Sequence, residues 1–361
     1  KILLQINKLR LYISPSKLSD MKKVYAFPFY VKLAIILFTL MALIAIMYVG
    51  QDVLAPILMA LVFAILMEPV SAFLKKKVKF SNAFATATAT FLFVSLIVVL
   101  FYFISLQFVG MAEDWDKIQS NVTKYYTNLQ QYLESSLSIS KEQQKQAISE
   151  ATSASTGKEV AGATLTSITD SLLDLILIPI YMFLILLYKN HFIKFLRDLV
   201  PEKHRTLLND ILHNGKISVR SYIVGLLIEM VIVSVLTTIG LMIIGVKYAI
   251  LLGVITGLLN LIPYIGIVFA GILTVFASLT GDSDGTVILG ILIVNIVVQF
   301  IDNNILVPMV VSSKVEINSI ASIVGIIIGG MIGGITGMFL AIPIIAILKI
   351  IFDRISLINS Y

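Results

Sequence analysis

The chain alternates long apolar runs with short polar breaks. A helix that crosses a bilayer needs about 20 mainly apolar residues. Five runs are clear candidates, at 33–49, 53–67, 83–111, 172–188 and 222–244. Gln51-Asp52 leaves room only for a tight turn between the first two, which predicts a helical hairpin. Three more apolar regions follow at 249–280, 286–311 and 320–351.

The polar stretches carry patterns of their own. Trp115, Ile118, Val122, Tyr125, Leu129 and Tyr132 recur every three or four residues, the period of an amphipathic helix. Ser140 with Gln143 forms a capping box for a second helix, and the Ala/Ser/Thr-rich run 151–156 reads as a flexible connector. Residues 112–170 therefore predict a small helical cap: a subunit contact, a gate or exposed decoration. In 189–220, Phe192, Phe195, Leu196 and Leu199 share one face, and Leu207, Leu208, Ile211 and Leu212 share another after Pro201. That pattern predicts amphipathic helices lying along a membrane surface.

Composition turns these runs into membrane spans. Apolar residues make up 58% of the chain and charged residues 13%, with a mean hydropathy of +0.98. A water-soluble domain is nearer a quarter charged, so a soluble protein is excluded. Charge then sets orientation, because Lys and Arg collect on the cytoplasmic side. Residues 1–32 hold seven basic residues against one acidic, 189–220 hold seven against three, and Lys75, Lys76, Lys77 and Lys79 follow the second span. Residues 112–170 hold five basic and eight acidic and belong outside. Both termini are then cytoplasmic. The net charge of +6 follows from this topology and implies no nucleic acid.

The absence of cysteine excludes disulfides, thiolate nucleophiles and Cys-ligated metals. His191, His204 and His213 have no metal-binding spacing, so neither a metal nor a cofactor is expected. Gly157-Lys158 lacks a P-loop's first glycine, with Thr152 in its place, and has Glu159 where Ser or Thr is needed. With no H-E-x-x-H and no G-x-S-x-G, an enzyme is not expected. The chain opens on Lys1, and Met21-Lys22-Lys23 has the form of a natural start, so residues 1–20 read as an upstream extension. A cleaved signal peptide is not expected.

The C-terminal third is the informative part. Fifteen of the 21 glycines fall between Gly240 and Gly337. Region 249–280 would be about 48 Å long as a helix, against a hydrocarbon core of about 30 Å. Its centre reads Asn260-Leu261-Ile262-Pro263-Tyr264-Ile265-Gly266, and Pro263 breaks the helical hydrogen bonding. Region 320–351 is as long, with Gly329-Gly330-Met331-Ile332-Gly333-Gly334 in its middle and Gly337 just beyond. Overlong, interrupted segments predict re-entrant hairpins, and paired interruptions point to a transporter's binding site. Charge agrees: if 249–280 returns to its own side, Asp282 and Asp284 stay outside while Lys314, Lys349 and Arg354 stay inside.

An ionisable side chain at the bilayer centre costs at least about 2.5–3.5 kcal/mol unless paired or wet. Glu229 lies seven residues into its span. Asp302 sits in Gln299-x-x-Asp302-Asn303-Asn304, with Pro308 beyond, the most polar run inside any span. A carboxylate, two amides and a nearby Gln suit a hydroxylated solute, a proton or sodium; the alternative is a polar clasp between helices. Glu68 and Asp174, nearer span ends, read as interfacial.

The ordered set Ile262-Pro263-Tyr264-Ile265-Gly266, Gln299-x-x-Asp302-Asn303-Asn304 with Pro308, Gly329-Gly330, Gly337-Met338 and Ala341-Ile342-Pro343 resembles the autoinducer-2 exporter (AI-2E) family of bacterial membrane proteins. The earlier hairpin, Glu68-Pro69 and the large insertion after the third span resemble it too. The resemblance implies a secondary permease of the bacterial inner membrane, working without ATP as a homo-oligomer, a pentamer in form. It implies export of autoinducer-2 or a related polar solute for some members and sodium or lithium/proton antiport for others.

The expected architecture is all-α and polytopic, with six spanning helices and two re-entrant hairpins. Its parts are a basic N-terminal segment (1–32), three helices (33–111), the cap (112–170), a fourth helix (171–188), surface helices (189–220), a transport core (221–351) and a tail (352–361). Glu229, Asn260, Tyr264, Gln299, Asp302, Asn303 and Asn304 are the candidate binding residues. Pro263, Gly266, Pro308, Gly329, Gly330, Gly333, Gly334 and Gly337 are candidate hinges. The expected function is ion-coupled export of a small polar solute by alternating access. Cation/proton antiport is the alternative, and a non-transporting or channel-like oligomer the third reading.

Overall fold

The computed structural model describes residues 28–114, 157–262, 285–311 and 317–359, with scattered positions in 116–131 and 266–275. Every regular element among them is helical. The amphipathic pattern from Trp115 to Tyr132, the capping box, the 151–156 connector, residues 1–20, Pro263 and Tyr264 lie outside the described residues.

Residues 1–50 form one unit, whose helix α1 spans Phe29–Val49. It ends at Gly50, whose N–H bonds to Ile46 O at 2.9 Å. Residues 51–361 form the second unit. It comprises α2 (Gln51–Lys77), α3 (Asn82–Glu113), α4 (Gly157–Leu199), a 3₁₀ turn (Glu202–His204), α5 (Arg205–Ile244), α6 (Ala249–Leu259), α7 (Gly285–Ile301), a π-helix (Asp302–Val311) and α8 (Ser319–Asn359).

Among the described residues, six helices are long and apolar enough to cross a membrane. Large apolar side chains cover their outer faces, with Leu96, Ile243 and Ile296 each more than two-thirds exposed. Such a surface is stable only against lipid or protein. Where the sequence suggests separate surface helices over 189–220, α4 runs on unbroken to Leu199 and α5 is already helical at Arg205. Only Val200–His204 interrupts them, because Pro201 cannot continue a helix.

Ion pairs tie the basic end of the unit together. Glu68 on α2 accepts from Lys189 on α4 and Lys216 on α5, so the interfacial reading of Glu68 has definite partners. Arg354 Nε on α8 lies 3.0 Å from Asp210 Oδ2 on α5.

By length alone Ser319–Arg354 qualifies as a crossing, yet α8 is folded back on itself. Gly334 adopts φ +56°, a left-handed conformation that only glycine takes readily. A Cβ on Gly329 would stand 2.4 Å from Gly337 O, and one on Gly325 would stand 2.2 Å from Ile345 Cδ1. Residues eight apart in a straight helix are about 12 Å apart, so α8 is two antiparallel arms joined at Gly333-Gly334.

The first overlong region folds back as well. Val246, Ala249 and Leu252 share one apolar cluster with Val275 and Val287. A chain continuing straight from Ala249 could not bring Val275 beside them. It dips in through α6, turns at Asn260–Ile262 and returns, and α7 then leaves from that same end. The expected re-entrant hairpins are both present, and they enter from opposite ends of the unit.

Candidate functional site

The site begins with a close helix contact. α6 lies on α5 through Gly253 and Gly257, where an added Cβ would stand 2.0 Å from Thr238 Oγ1 and from Ser234 Oγ respectively. Small residues four apart let helix backbones meet inside a membrane. This seats the end of α6 against the middle of α5, and Asn260, one turn past Gly257, reaches Glu229.

Three polar side chains meet there. Glu229 is 4% exposed, Asn260 6% and Asp302 3%. Asn260 Nδ2 donates to Glu229 Oε1 at 3.0 Å and to Asp302 Oδ2 at 3.3 Å. One amide thus holds two carboxyls from two helices. Glu229 Oε2 and Asp302 Oδ1 are buried and have no hydrogen-bond partner, and neither has Gln299 Nε2 one turn earlier on α7. α6 ends here, so the partial negative charge of its C-terminus adds to the site. Asp302 also opens the π-helix, whose widened turns accommodate Pro308; single π-turns are frequent at functional sites.

Other candidate residues lie elsewhere. Asn303 and Asn304 are exposed on the chain's surface, and Asn304 Nδ2 donates to Phe300 O at 2.8 Å. Gly266 packs on the turn, where a Cβ would stand 1.8 Å from Leu259 O. Gly329, Gly330 and Gly337 close the α8 hairpin on itself, and Gly333 and Gly334 form its turn. That hairpin packs on α5 and α2. The first break is at the carboxyl pair; the second belongs to the α8 hairpin alone.

A cavity of ≈ 460 Å³ opens between α2, α4, α5 and α8 near Glu68, Lys189 and Lys216. Leu61, Ile65, Leu212 and Val219 line it. Apolar walls give no orientation to a polar solute.

Two features had no strong signal in sequence. Gly253-x-x-x-Gly257 is readable only as a spacing. The second is a cluster at the end opposite Glu68, where Asp114, 7% exposed, accepts from Lys247. Lys117 Nζ lies 3.0 Å away, and the Tyr248 hydroxyl lies 2.7 Å from Asp114 Oδ2 and 2.7 Å from Gly110 O. These bonds join the end of α3 to the start of the first hairpin.

The Lys247 ammonium first, then Tyr248 and Lys117, holds the Asp114 carboxyl well below the usual carboxylate range. A depressed carboxyl stabilises the fold above its unfolded-state value, and that contribution fades as pH falls through the folded value. Asp114→Asn should therefore lower the melting temperature at pH 7, and its deficit against wild type should shrink only below about pH 4. Melting curves of both proteins at pH 7, 5 and 3 check this. A deficit that disappears by pH 5 would contradict it.

The fold and site define a class: an all-helical, multipass membrane protein with two opposed re-entrant hairpins, one of which presents an amide to a buried carboxyl pair. Within that class, the chain belongs to the AI-2E family transporter family, whose model matches residues 34–357. It is 27% identical over 239 residues to "Putative transport protein YueF" of Bacillus subtilis (strain 168), covering 66% of this chain and 58% of that one. It is 29% identical over 152 residues to "Putative transport protein YrrI" of the same organism, covering 42% of each. Against "Putative permease PerM" of Escherichia coli (strain K12) it is 25% identical over 191 residues, covering 53% of this chain and 54% of that one. The chain spans about half the length of the curated relatives it matches.

Proposed function

We propose that the protein is a secondary transporter that binds a proton or a monovalent cation between Glu229, Asn260 and Asp302 and exposes it to each side in turn. The observation that carries this reading is an unneutralised acidic pair. Two carboxyls are buried, each with a free oxygen. From Ser221 to Val246 and from Tyr248 to Ser313 the sequence holds no Lys, Arg or His. The basic residues of α5 end at Arg220, nine residues before Glu229, and Lys247 follows 18 residues after it, so the charge must be met by what the site binds. The negative end of α6 favours a cation as well and disfavours an anionic solute.

Family membership and the relatives' names, which speak of transport and permease activity, support the same class. The basic end at Glu68 and Asp210 would face the cytoplasm of a bacterial inner membrane, by the bias of Lys and Arg. Export of an autoinducer-2-like solute, with the carboxyls as its coupling site, is the second reading. Asn260 and Gln299 support it. Asn303 and Asn304 support it less, because both face away from Asp302. Their exposure beside apolar Phe300 and Ile305 instead favours burial against another copy, in keeping with a homo-oligomer.

The test is a preset pH gradient across proteoliposomes. Adding sodium or lithium should collapse it at a rate that saturates with cation concentration. Indifference to both ions rejects cation/proton exchange and moves the search to polar metabolites. No saturable flux of any kind favours a structural or channel-like oligomer.

A further inference from the structure

Beyond the carboxyl pair, towards the Lys247 end, α5 and α7 run antiparallel in a register set by two close contacts. A Cβ on Gly240 would stand 2.6 Å from Val294 Cγ1, and one on Gly290 would stand 3.1 Å from Ile244 Cδ1. Each residue of advance along α5 is matched by one of retreat along α7. By that count Glu229 and Asp302 lie within three residues, about 4.5 Å, of one depth, where Asn260 joins them, and Val233 and Val298 belong to one apolar cluster. Thr237 and Asn295 come next, within two residues, about 3 Å, of one depth. Leu241 and Ile291, both 0% exposed, close the series within a second apolar cluster with Val246 and Leu252.

The layers alternate: acidic, apolar, polar, apolar. The polar layer is unsatisfied. Thr237 is 0% exposed and its hydroxyl has no hydrogen-bond partner. Asn295 Nδ2 is buried and unpartnered, and lies 3.9 Å from where a Cβ on Gly271 would stand, so it faces the returning arm of the first hairpin. Gln299 Nε2, unpartnered too, sits one turn nearer the carboxyls. Buried polar groups nearly always have partners, and leaving one without carries its full desolvation cost. Three such groups on two facing helices call for one common ligand.

We propose that Thr237, Asn295 and Gln299 form a second, uncharged binding layer, which holds water and the hydrated ion or polar solute passing between the carboxyl pair and the Lys247 end. The layer rests on the transporter reading only for what passes through it. A hydroxyl and two amides suit this task, since water both donates and accepts. Val233 and Val298 separate Thr237 and Asn295 from the carboxyls. Gln299 follows Val298 on the carboxyl side and links the two. The Leu241–Ile291 layer separates Thr237 and Asn295 from the nearer solution. The layer lies about 12 Å along α5 from Glu229, eight residues at 1.5 Å each.

The cysteine-free chain makes this measurable, because one introduced thiol reports one position. Thr237→Cys, Asn295→Cys and Gln299→Cys should react with a small, charged, membrane-impermeant methanethiosulfonate at least tenfold faster than Met182→Cys, a 0% exposed site in the apolar cluster around Phe93. Rates equal to that of Met182→Cys would overturn the proposal. Thr237→Val gives a second readout that does not depend on labelling. In a wet layer it removes a satisfied hydroxyl and lowers the melting temperature; a rise would mean a dry, unpaired group and would also overturn the proposal. Reactive thiols in a protein that moves no cation would leave the layer standing and defeat the cation reading of the carboxyl pair. Cation-dependent flux with protected thiols would do the reverse.

Discussion

Asp302→Asn and Glu229→Gln should each abolish cation-dependent collapse of a pH gradient while leaving the protein folded, and should raise its melting temperature. Both substitutions are nearly isosteric and keep a polar group beside the Asn260 amide. What they remove is charge. A charged partner contributes about 1.5–3 kcal/mol to a hydrogen bond, so cation affinity should fall roughly 10- to 100-fold, at 1.4 kcal/mol per decade. Proton coupling should be lost altogether, because an amide carries no exchangeable charge. Stability should move the other way. A carboxylate in the bilayer interior costs about 2.5–3.5 kcal/mol, and removing it recovers part of that. Function and stability are commonly opposed in this way at strained sites. The measurement is flux beside thermal unfolding in the same preparations. Unchanged flux with lowered stability would identify the trio as a clasp between helices.

The α8 hairpin gives the second large effect, as a graded series at three glycines. Gly337→Ala should be the most damaging. Its Cβ would stand 2.0 Å from Gly329 O, and backbone on both arms leaves no flexible side chain to yield. Overpacking of this kind costs about 1–3 kcal/mol or more. Gly334→Ala should cost about 1–2 kcal/mol, the penalty for placing a side chain in the left-handed region. Gly333→Ala should be close to neutral, since nothing lies within 4 Å of its added Cβ and its φ is −138°. Melting temperatures in detergent should fall in that order. Equal losses at Gly333 and Gly337 would mean that the arms do not touch as described.

How legible the protein was in sequence varies along the chain. The spans were readable because hydrocarbon imposes one simple rule, a run of apolar residues without charge. The hairpins were readable because a segment too long for the bilayer and broken in its middle must fold back. The amphipathic helices expected over 189–220 are continuous with α4 and α5. Amphipathic periodicity marks a buried stripe and does not say whether a helix has ended.

At the site, Glu229 and Asp302 stood out singly as acids in apolar surroundings, a property of local sequence. Asn303 and Asn304 looked equivalent to Asp302 because they are its neighbours. On a helix, however, consecutive residues point in different directions, and of the three only Asp302 faces Asn260 while Asn303 and Asn304 are exposed. The sequence by itself determined that this is a helical membrane protein with two broken hairpins and acids where lipid would forbid them, since composition and segment length suffice for that. Only the tertiary structure decided that Asn260 joins Glu229 to Asp302, that Asp114 joins α3 to the first hairpin, and that Thr237 lies level with Asn295. These pairs are 31 to 133 residues apart or set by helix register, and no local pattern encodes which faces meet when α6 settles onto α5 at Gly253 and Gly257.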